Sequence, residues 1–364
     1  MKRVLDSLLG SFDQALEQGS PKRFSSVFLG GGTPSAIPAK LMDDFLQSLL
    51  VRVGPVEEWS MEVNPESLNE EFLSMLSSSP VNRISMGAQS YDETLLSWLG
   101  RPSGRRILEH ADALLASLWD GRLSRDVLAS LPHQKKNGWL EDLDHALAGD
   151  PGHLSLYELT IEDDTPLAQD EVRLQSLPTE DEAWERWQES LEFLKNRGYQ
   201  RYEVSNFARP GQECQHNLGY WALNPYLGLG PGAASTLPNE EGHPVRLEGE
   251  RDWSRWVQNP WTHCTSTKIP PFAFALEILM MGMRCVQGVA RKPFQNLFHQ
   301  DVVDLLPQSL NKWATADALT VTEETLIPTE SGLELVDAML ADMAMELEKK
   351  SLCWNGPWKH SSLS

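Results

Sequence analysis

Up to about residue 205, the chain repeats one unit: a short β-branched or apolar run, then a stretch with apolar residues at helical spacing. The spacing predicts helices at Leu5–Leu16, Leu41–Leu50, Asn69–Leu76, Asp92–Leu99, Arg105–Leu118, near Trp139–Ala148, and at Thr179–Asn196. It predicts strands at Ser25–Leu29, Trp59–Val63, Asn82–Ala88, Leu123–Ser130, His153–Ile161 and Tyr202–Ser205. Such alternation argues for a parallel sheet built from βα units. In these sheets the carboxyl ends of the strands carry the ligand site. About six strands suit either a partial barrel or an open sheet, and periodicity does not separate the two.

After that region the pattern changes. Pro210–Glu250 is rich in Gly, Pro and Asn and longer than an ordinary connection, which marks a functional loop or a junction. Residues 272–347 read as a mainly helical unit, with helices at Phe272–Met283 and Gly332–Leu347. Leu319–Val321 and Thr325–Ile327 are expected to pair as a small hairpin between them. The expected domains are a core at 1–210, a loop-rich junction at 211–260, a helical domain at 261–348 and a frayed tail at 349–364.

Charge narrows the function. Lys plus Arg number 31 against 52 Asp plus Glu, a net charge of -21, which repels phosphate backbones and anionic membrane surfaces. No apolar run approaches the roughly 20 residues that span a bilayer, so stable membrane insertion is not expected. The first residues run directly into an amphipathic helix pattern without a cleavable signal, and the expected location is cytoplasmic. Cysteines stand at 214, 264, 285 and 353, with no CxxC pair. That spacing argues against a disulfide framework, a structural zinc site or a self-contained iron–sulfur site.

Three groups of residues carry candidate chemistry. Leu29-Gly30-Gly31-Gly32-Thr33-Pro34-Ser35 follows a strand, and its glycines let a ligand approach the backbone N–H groups. It fits neither the GK[ST] nor the GxGxxG phosphate pattern, so a tight strand-to-helix turn explains it equally well. Glu62, Gln89, Arg101 and Asp126 are dispersed, and each alone reads as a solvated surface residue. Together they put an acid, an amide, a cation and an acid near successive strand ends. Such a set suits a zwitterionic amino acid joined to a ribose: Arg for a carboxylate, Glu for an ammonium, Asp for a hydroxyl pair. His216 lies in Cys214-Gln215-His216-Asn217-Leu218-Gly219-Tyr220-Trp221, where it is either an axial ligand backed by aromatic surface or a histidine satisfied inside a loop. Cys214 beside it gives only two metal-ligand types, which do not make a site.

GGGTPS, MEVNPES, NRISMGAQS, WLGR, LYELTIEDDTPL, YEVSNFARPGQECQHNLGYW and YLGLGPGAAS occur in this order. The set resembles radical S-adenosylmethionine (SAM) proteins of the oxygen-independent coproporphyrinogen III oxidase-like family, on the heme-chaperone side of that group. The resemblance runs from about Leu5 to Leu347. It implies a partial (β/α)6-type barrel without its first strand, plus a small, mainly helical C-terminal domain. Gly31, Gly32 and Thr33 match the loop that contacts the methionine part of SAM, and Glu62, Gln89, Arg101 and Asp126 match the other SAM-contacting positions. His216 matches the histidine implicated in heme binding.

The sequence departs from the family in three places. The family's CxxxCxxC loop, which holds a 4Fe-4S cluster, is absent from this chain. The kept SAM-contacting residues favour a start upstream of Met1 over a cluster-less paralogue. Ser130 opens the Ser130-Leu131-Pro132-His133-Gln134 loop where the family has glycine, and Arg101-Pro102-Ser103 lacks a nearby histidine. The resemblance implies heme and SAM as ligands, a recipient hemoprotein and a dimer, while the net charge argues against nucleic acid. It favours a heme-binding chaperone over an inactive paralogue, and both over oxidative decarboxylation of coproporphyrinogen III, which needs the cluster.

Overall fold

A computed structural model describes residues 1–19, 23–101, 104–132, 136–161, 163, 165–260 and 265–358 of the chain. It divides into two compact units. One comprises Phe24–Arg201 and Ser205–His216, the other Met1–Arg23, Tyr202–Val204 and Asn217–Ser364. The first helix, α1 (Lys2–Glu17), belongs to the second unit.

The first unit is a seven-stranded sheet wrapped in helices. In chain order it runs β1 (Ser26–Leu29), α2 (Ala39–Val53), β2 (Glu58–Val63), α3 (Glu70–Ser77), β3 (Arg83–Gln89), α4 (Glu93–Trp98) and α5 (Gly104–Leu118). It continues with β4 (Arg122–Ala129), α6 (Lys136–Ala146), β5 (His153–Glu158), α7 (Glu171–Leu174), α8 (Glu180–Asn196), β6 (Gln200–Arg201) and β7 (Asn206–Ala208). The strand order is β1-β2-β3-β4-β5-β7-β6, with β1 at one edge. Strands β1 to β5 are parallel, while β7 is antiparallel to both β5 and β6.

Helix boundaries follow local chemistry. The Asn69 side chain accepts the Phe72 N–H at the start of α3, and Asp92 accepts from Thr94 and Leu95 at the start of α4. Thr179 and Glu182 form a capping box on α8. Helix α2 buries Met42, Phe45, Leu46 and Leu49, spaced along one face.

The two faces of the sheet differ sharply. Trp59, Met61, Val63, Ile84, Met86, Val127, Leu154 and Leu156 are buried on one side. Strand alternation puts the intervening residues on the other. The register aligns Ser26 with Glu58, then Phe28 with Ser60 and Arg83. Further along, Glu62 lies beside Ser85, Ser124 and His153, and Gly87 beside Asp126, Ser155 and Asn206. Parallel strands covered by apolar layers on both faces read as continuous hydrophobic runs. Here one face is polar, as a ligand-holding interior requires.

The second unit holds two small sheets. Helix α9 (Gln215–Trp221) begins in the first unit and ends in the second. The antiparallel strands β8 (Ala234–Pro238), β9 (Pro244–Glu248) and β10 (Thr265–Lys268) follow in the order β10-β9-β8. α10 (Trp253–Gln258) packs on α1. The C-terminal part comprises α11 (Pro271–Gly282), β11 (Val289–Ala290), α12 (Arg291–Phe298), α13 (Val302–Leu305) and α14 (Pro307–Thr315). It continues with β12 (Leu319–Val321), β13 (Thr325–Pro328), α15 (Glu330–Leu333) and α16 (Val336–Leu347). Its core centres on Phe274, Leu279, Phe294, Phe298, Met339 and Met343.

Several expectations need correcting. The strand predicted at 202–205 is absent from the sheet; β6 and β7 flank that segment. Its extended backbone pairs within the second unit instead: the Val204 N–H donates to Arg284 O, and Glu203 bridges Cys285. Propensity found the extended conformation but not its partner. β5 stops at Glu158 rather than Ile161, and the helix predicted over 332–347 is split into α15 and α16. The segment read as loop after Pro210 contains α9 and most of a three-stranded sheet, whose strands of five residues are too short, among Gly, Pro and Asn, to stand out as strands. The hairpin is present and gains β11 as a third strand. His133, Gln134, Pro102, Ser103, Cys264 and the last six residues of the tail lie outside the described residues.

Candidate functional site

The site is built on the polar face, beginning where β1 ends. Gly31 and Gly32 take φ values of 72° and 59°, the left-handed region that glycine enters without a Cβ clash. The Gly31 N–H donates to a Glu62 carboxylate oxygen at 3.1 Å. Asn64, just past β2, donates from Nδ2 to Thr33 Oγ1 at 3.3 Å, and its own N–H donates to Ser35 Oγ at 3.1 Å. Glycine loop and β2 terminus are therefore one hydrogen-bonded piece.

Asp126 faces the same side, half-buried. The Ser85 hydroxyl lies 3.0 and 3.1 Å from its two carboxylate oxygens. Burial pushes the Asp126 carboxyl up to about 6; hydroxyls of Ser155 and Ser85 oppose the rise, and the nearby Glu62 charge adds to it.

Gln89 ends β3 at a register shift, with φ 67°. Its amide folds back toward Gly87, where an added Cβ would lie 3.1 Å from Gln89 Nε2. Gly87 is the register partner of Asp126, so the amide is brought toward that carboxylate. Buried Asp142 on α6 holds the chain just beyond: the Ser90 hydroxyl donates to it at 2.7 Å, and so does the Tyr91 N–H. Arg101 follows Gly100 past the end of α4, where its N–H donates to Leu96 O at 2.8 Å. Among the described residues, no hydrogen bond or ion pair ties Arg101 to Glu62, Gln89 or Asp126.

His216 sits elsewhere on the same face, over β1. Its imidazole stacks on Phe28, with ring centroids 4.7 Å apart and an interplanar angle of 13°. Nδ1 lies 3.2 Å from Ser26 Oγ. The backbone of this turn is fixed by the fully buried Glu58 carboxylate. That group accepts the Gln215 N–H at 3.1 Å, the His216 N–H at 3.0 Å and the Cys214 thiol at 3.4 Å. It also faces Arg122 at 3.5 Å and Arg83 at 3.9 Å. Burial lowers the His216 imidazole to about 4, with Glu58 opposing, so the ring is neutral near pH 7. Neutral imidazole is the form that binds metal.

Sequence reasoning missed Ser26, Phe28, Glu58 and Asp142. Glu58 stands 158 residues from His216, and no local pattern marks it. It also missed the state of Cys214, whose thiol is directed at Glu58.

The Radical SAM superfamily profile matches residues 10–146, and the HemN C-terminal domain profile matches residues 269–335. The heme chaperone HemW of Escherichia coli is 34% identical over 289 residues, spanning 79% of this chain and 75% of that protein. The heme chaperone HemW of Synechocystis is 31% identical over 298 residues, spanning 79% of this chain and 72% of the relative. The bovine protein named radical S-adenosyl methionine domain-containing protein 1, mitochondrial, is 32% identical over 344 residues, 90% of this chain and 77% of its own. Among solved structures, coproporphyrinogen III oxidase (HemN) of Escherichia coli matches with a TM-score of 0.78 at 18% identity, over 94% of this chain and 82% of that one, which speaks to the fold alone. The chain belongs to the HemN-like radical SAM family, within the group that contains HemW.

That family implies SAM and a 4Fe-4S cluster. The polar face fits SAM: the left-handed glycine loop, the Glu62 and Asp126 carboxylates and the Gln89 amide lie along it, and a Cβ at Gly30 would crowd Glu62. The described residues do not fit the cluster. No three of their His, Cys, Asp or Glu side chains are placed to hold a metal ion. Cys214 is engaged with Glu58, and burial pushes the Cys285 thiol up, away from the thiolate a cluster needs. No described helix is long and apolar enough to cross a membrane.

Proposed function

We propose that this protein binds heme through His216 and hands it to a recipient hemoprotein, with a SAM cradle formed by the glycine loop and the strand ends. The observation that carries the reading is the His216 seat: a neutral imidazole, stacked on Phe28, on a turn anchored by a buried carboxylate. Two relatives above 30% identity that carry the name heme chaperone support it.

In the cradle, Gly31, Gly32 and Thr33 would meet the methionine part of SAM, Glu62 its ammonium and Arg101 its carboxylate. Asp126 would accept the ribose hydroxyls, with Gln89 beside it. When bound, SAM would supply an ammonium, a carboxylate and ribose hydroxyls for these groups to hold. The unit of Phe24–Arg201 and Ser205–His216 is assigned to the cradle and the heme histidine, 261–348 to the helical domain and 349–364 to the tail. A second copy of the chain and a hemoprotein are the partners this reading names. A cytoplasmic location goes with this reading.

Titration of the purified protein with hemin tests the reading. The parent is expected to shift the Soret band saturably, and His216→Ala to weaken binding by about tenfold or more, as loss of an axial ligand should. A parent that produces no Soret shift would overturn it.

A further inference from the structure

The histidine seat and the glycine loop share one side chain. One face of the Phe28 ring lies against His216. Its edge reaches the loop: a Cβ added at Gly30 would stand 2.6 Å from Phe28 Cε1 and 2.9 Å from the Glu62 carboxyl. Gly30 is not among the glycines at positive φ, so a Cβ there would act through this close approach and not through the backbone conformation: Phe28 or Glu62 would have to shift. Glu62 in turn receives the Gly31 N–H.

From this chain of contacts we infer that Phe28 is a positioning residue that transmits the state of the glycine loop to His216. The claim that heme affinity follows rests on the function proposed above; the mechanical link does not. A group that draws Glu62 or the Gly31 N–H to itself changes the wall against which the Phe28 edge rests. The ring is rigid, and packed groups shift between discrete arrangements rather than deform continuously. The His216 backbone is pinned by Glu58, and Nδ1 is tied to Ser26, so the response available is a tilt of the imidazole. Linkage makes the effect mutual: a loop ligand that alters heme affinity has its own affinity altered by the same factor.

A wedge at Gly30 tests this without any loop ligand. In ligand-free protein carrying 13C-labelled histidine, the His216 Cε1–H signal is identified by its loss in His216→Ala. Stacking on Phe28 places that proton in the ring current, so Phe28→Ala is expected to move it downfield. Gly30→Ala should shift it as well, while leaving the His153 signal in place. In the Phe28→Ala background, Gly30→Ala should do nothing further, which is the signature of coupling through that ring. Hemin affinity should follow the same cycle: Gly30→Ala weakens it by about fivefold or more with Phe28 present and leaves it unchanged without. Phe28→Leu, which keeps bulk in the strand, replaces Phe28→Ala if the latter does not fold. A His216 signal that Gly30→Ala leaves unmoved, or moves equally with and without Phe28, overturns the proposal. A parent that fails to bind hemin defeats the chaperone reading, and the NMR cycle still decides the link.

Discussion

Glu58 and Glu62 stand four residues apart on β2 and face the same side of the sheet, yet their surroundings are opposite. Glu58 is fully buried, caps two backbone N–H groups and a thiol, and faces two guanidinium groups. Glu62 is half-buried, accepts one loop N–H, and lies near a second carboxylate, Asp126. The amino end of the polar face is committed to holding the chain together. Its carboxyl end keeps like charges close, an arrangement that a cationic or hydroxylated ligand relieves. Fixed support at one end and unspent polarity at the other is what a preorganised binding surface needs.

The comparison breaks most visibly at Glu58. Glu58→Ala would leave Arg83, which is 2% exposed, without the ion-pair partner it has in Glu58, together with two uncapped N–H groups. Breaking a buried pair this way typically costs about 3–5 kcal/mol. A lowered urea midpoint and lost hemin binding should appear together. Unchanged stability would mean that Glu58 is not the anchor described.

At the other end the sign reverses. The Asp126 carboxyl is raised from its ordinary range to about 6, so the folded state holds its proton more tightly than the unfolded chain does. Its contribution is therefore present below the unfolded value and lost as pH rises through about 6. Asp126→Asn should stabilise the protein at neutral pH by roughly 2 kcal/mol and flatten the stability profile between pH 4 and 6. Binding of S-adenosylhomocysteine, measured by calorimetry, should fall in the same variant. Destabilisation at pH 7.5 would show that Asp126 supports the fold rather than the cradle.

The smallest effect lies beside β4. Ser130 has φ 56° and its hydroxyl is buried with no partner among the described residues. Ser130→Gly should raise stability by about 1 kcal/mol, seen as a higher thermal midpoint. A fall would contradict the left-handed backbone at that position.

Much of the first unit was legible because short apolar runs and stretches of helical spacing follow one another along the chain. Trp59, Met61 and Val63 must be buried together, and the same period assigns Glu58, Ser60 and Glu62 to the opposite face. The glycine loop was visible as composition, and Ser130 could be singled out as standing where glycine belongs, though the reason is a backbone angle that only the structure supplies. The antiparallel turn of β7 was not legible, because antiparallel and parallel strands share a side-chain period. Nor was the His216 seat, since Ser26, Phe28 and Glu58 are joined to it only by tertiary contact. Strands β8 and β9 passed for loop because they are five residues each, set among Gly, Pro and Asn, and β10, with its four residues all exposed, gave no core-facing pattern.

Pulsed electron paramagnetic resonance of the ferric hemin complex, prepared with 15N-histidine protein, tests the heme assignment most directly. The account predicts a 15N coupling from one axial imidazole in the parent protein that vanishes in His216→Ala. A coupling that persists in His216→Ala, or none in the parent, would contradict it.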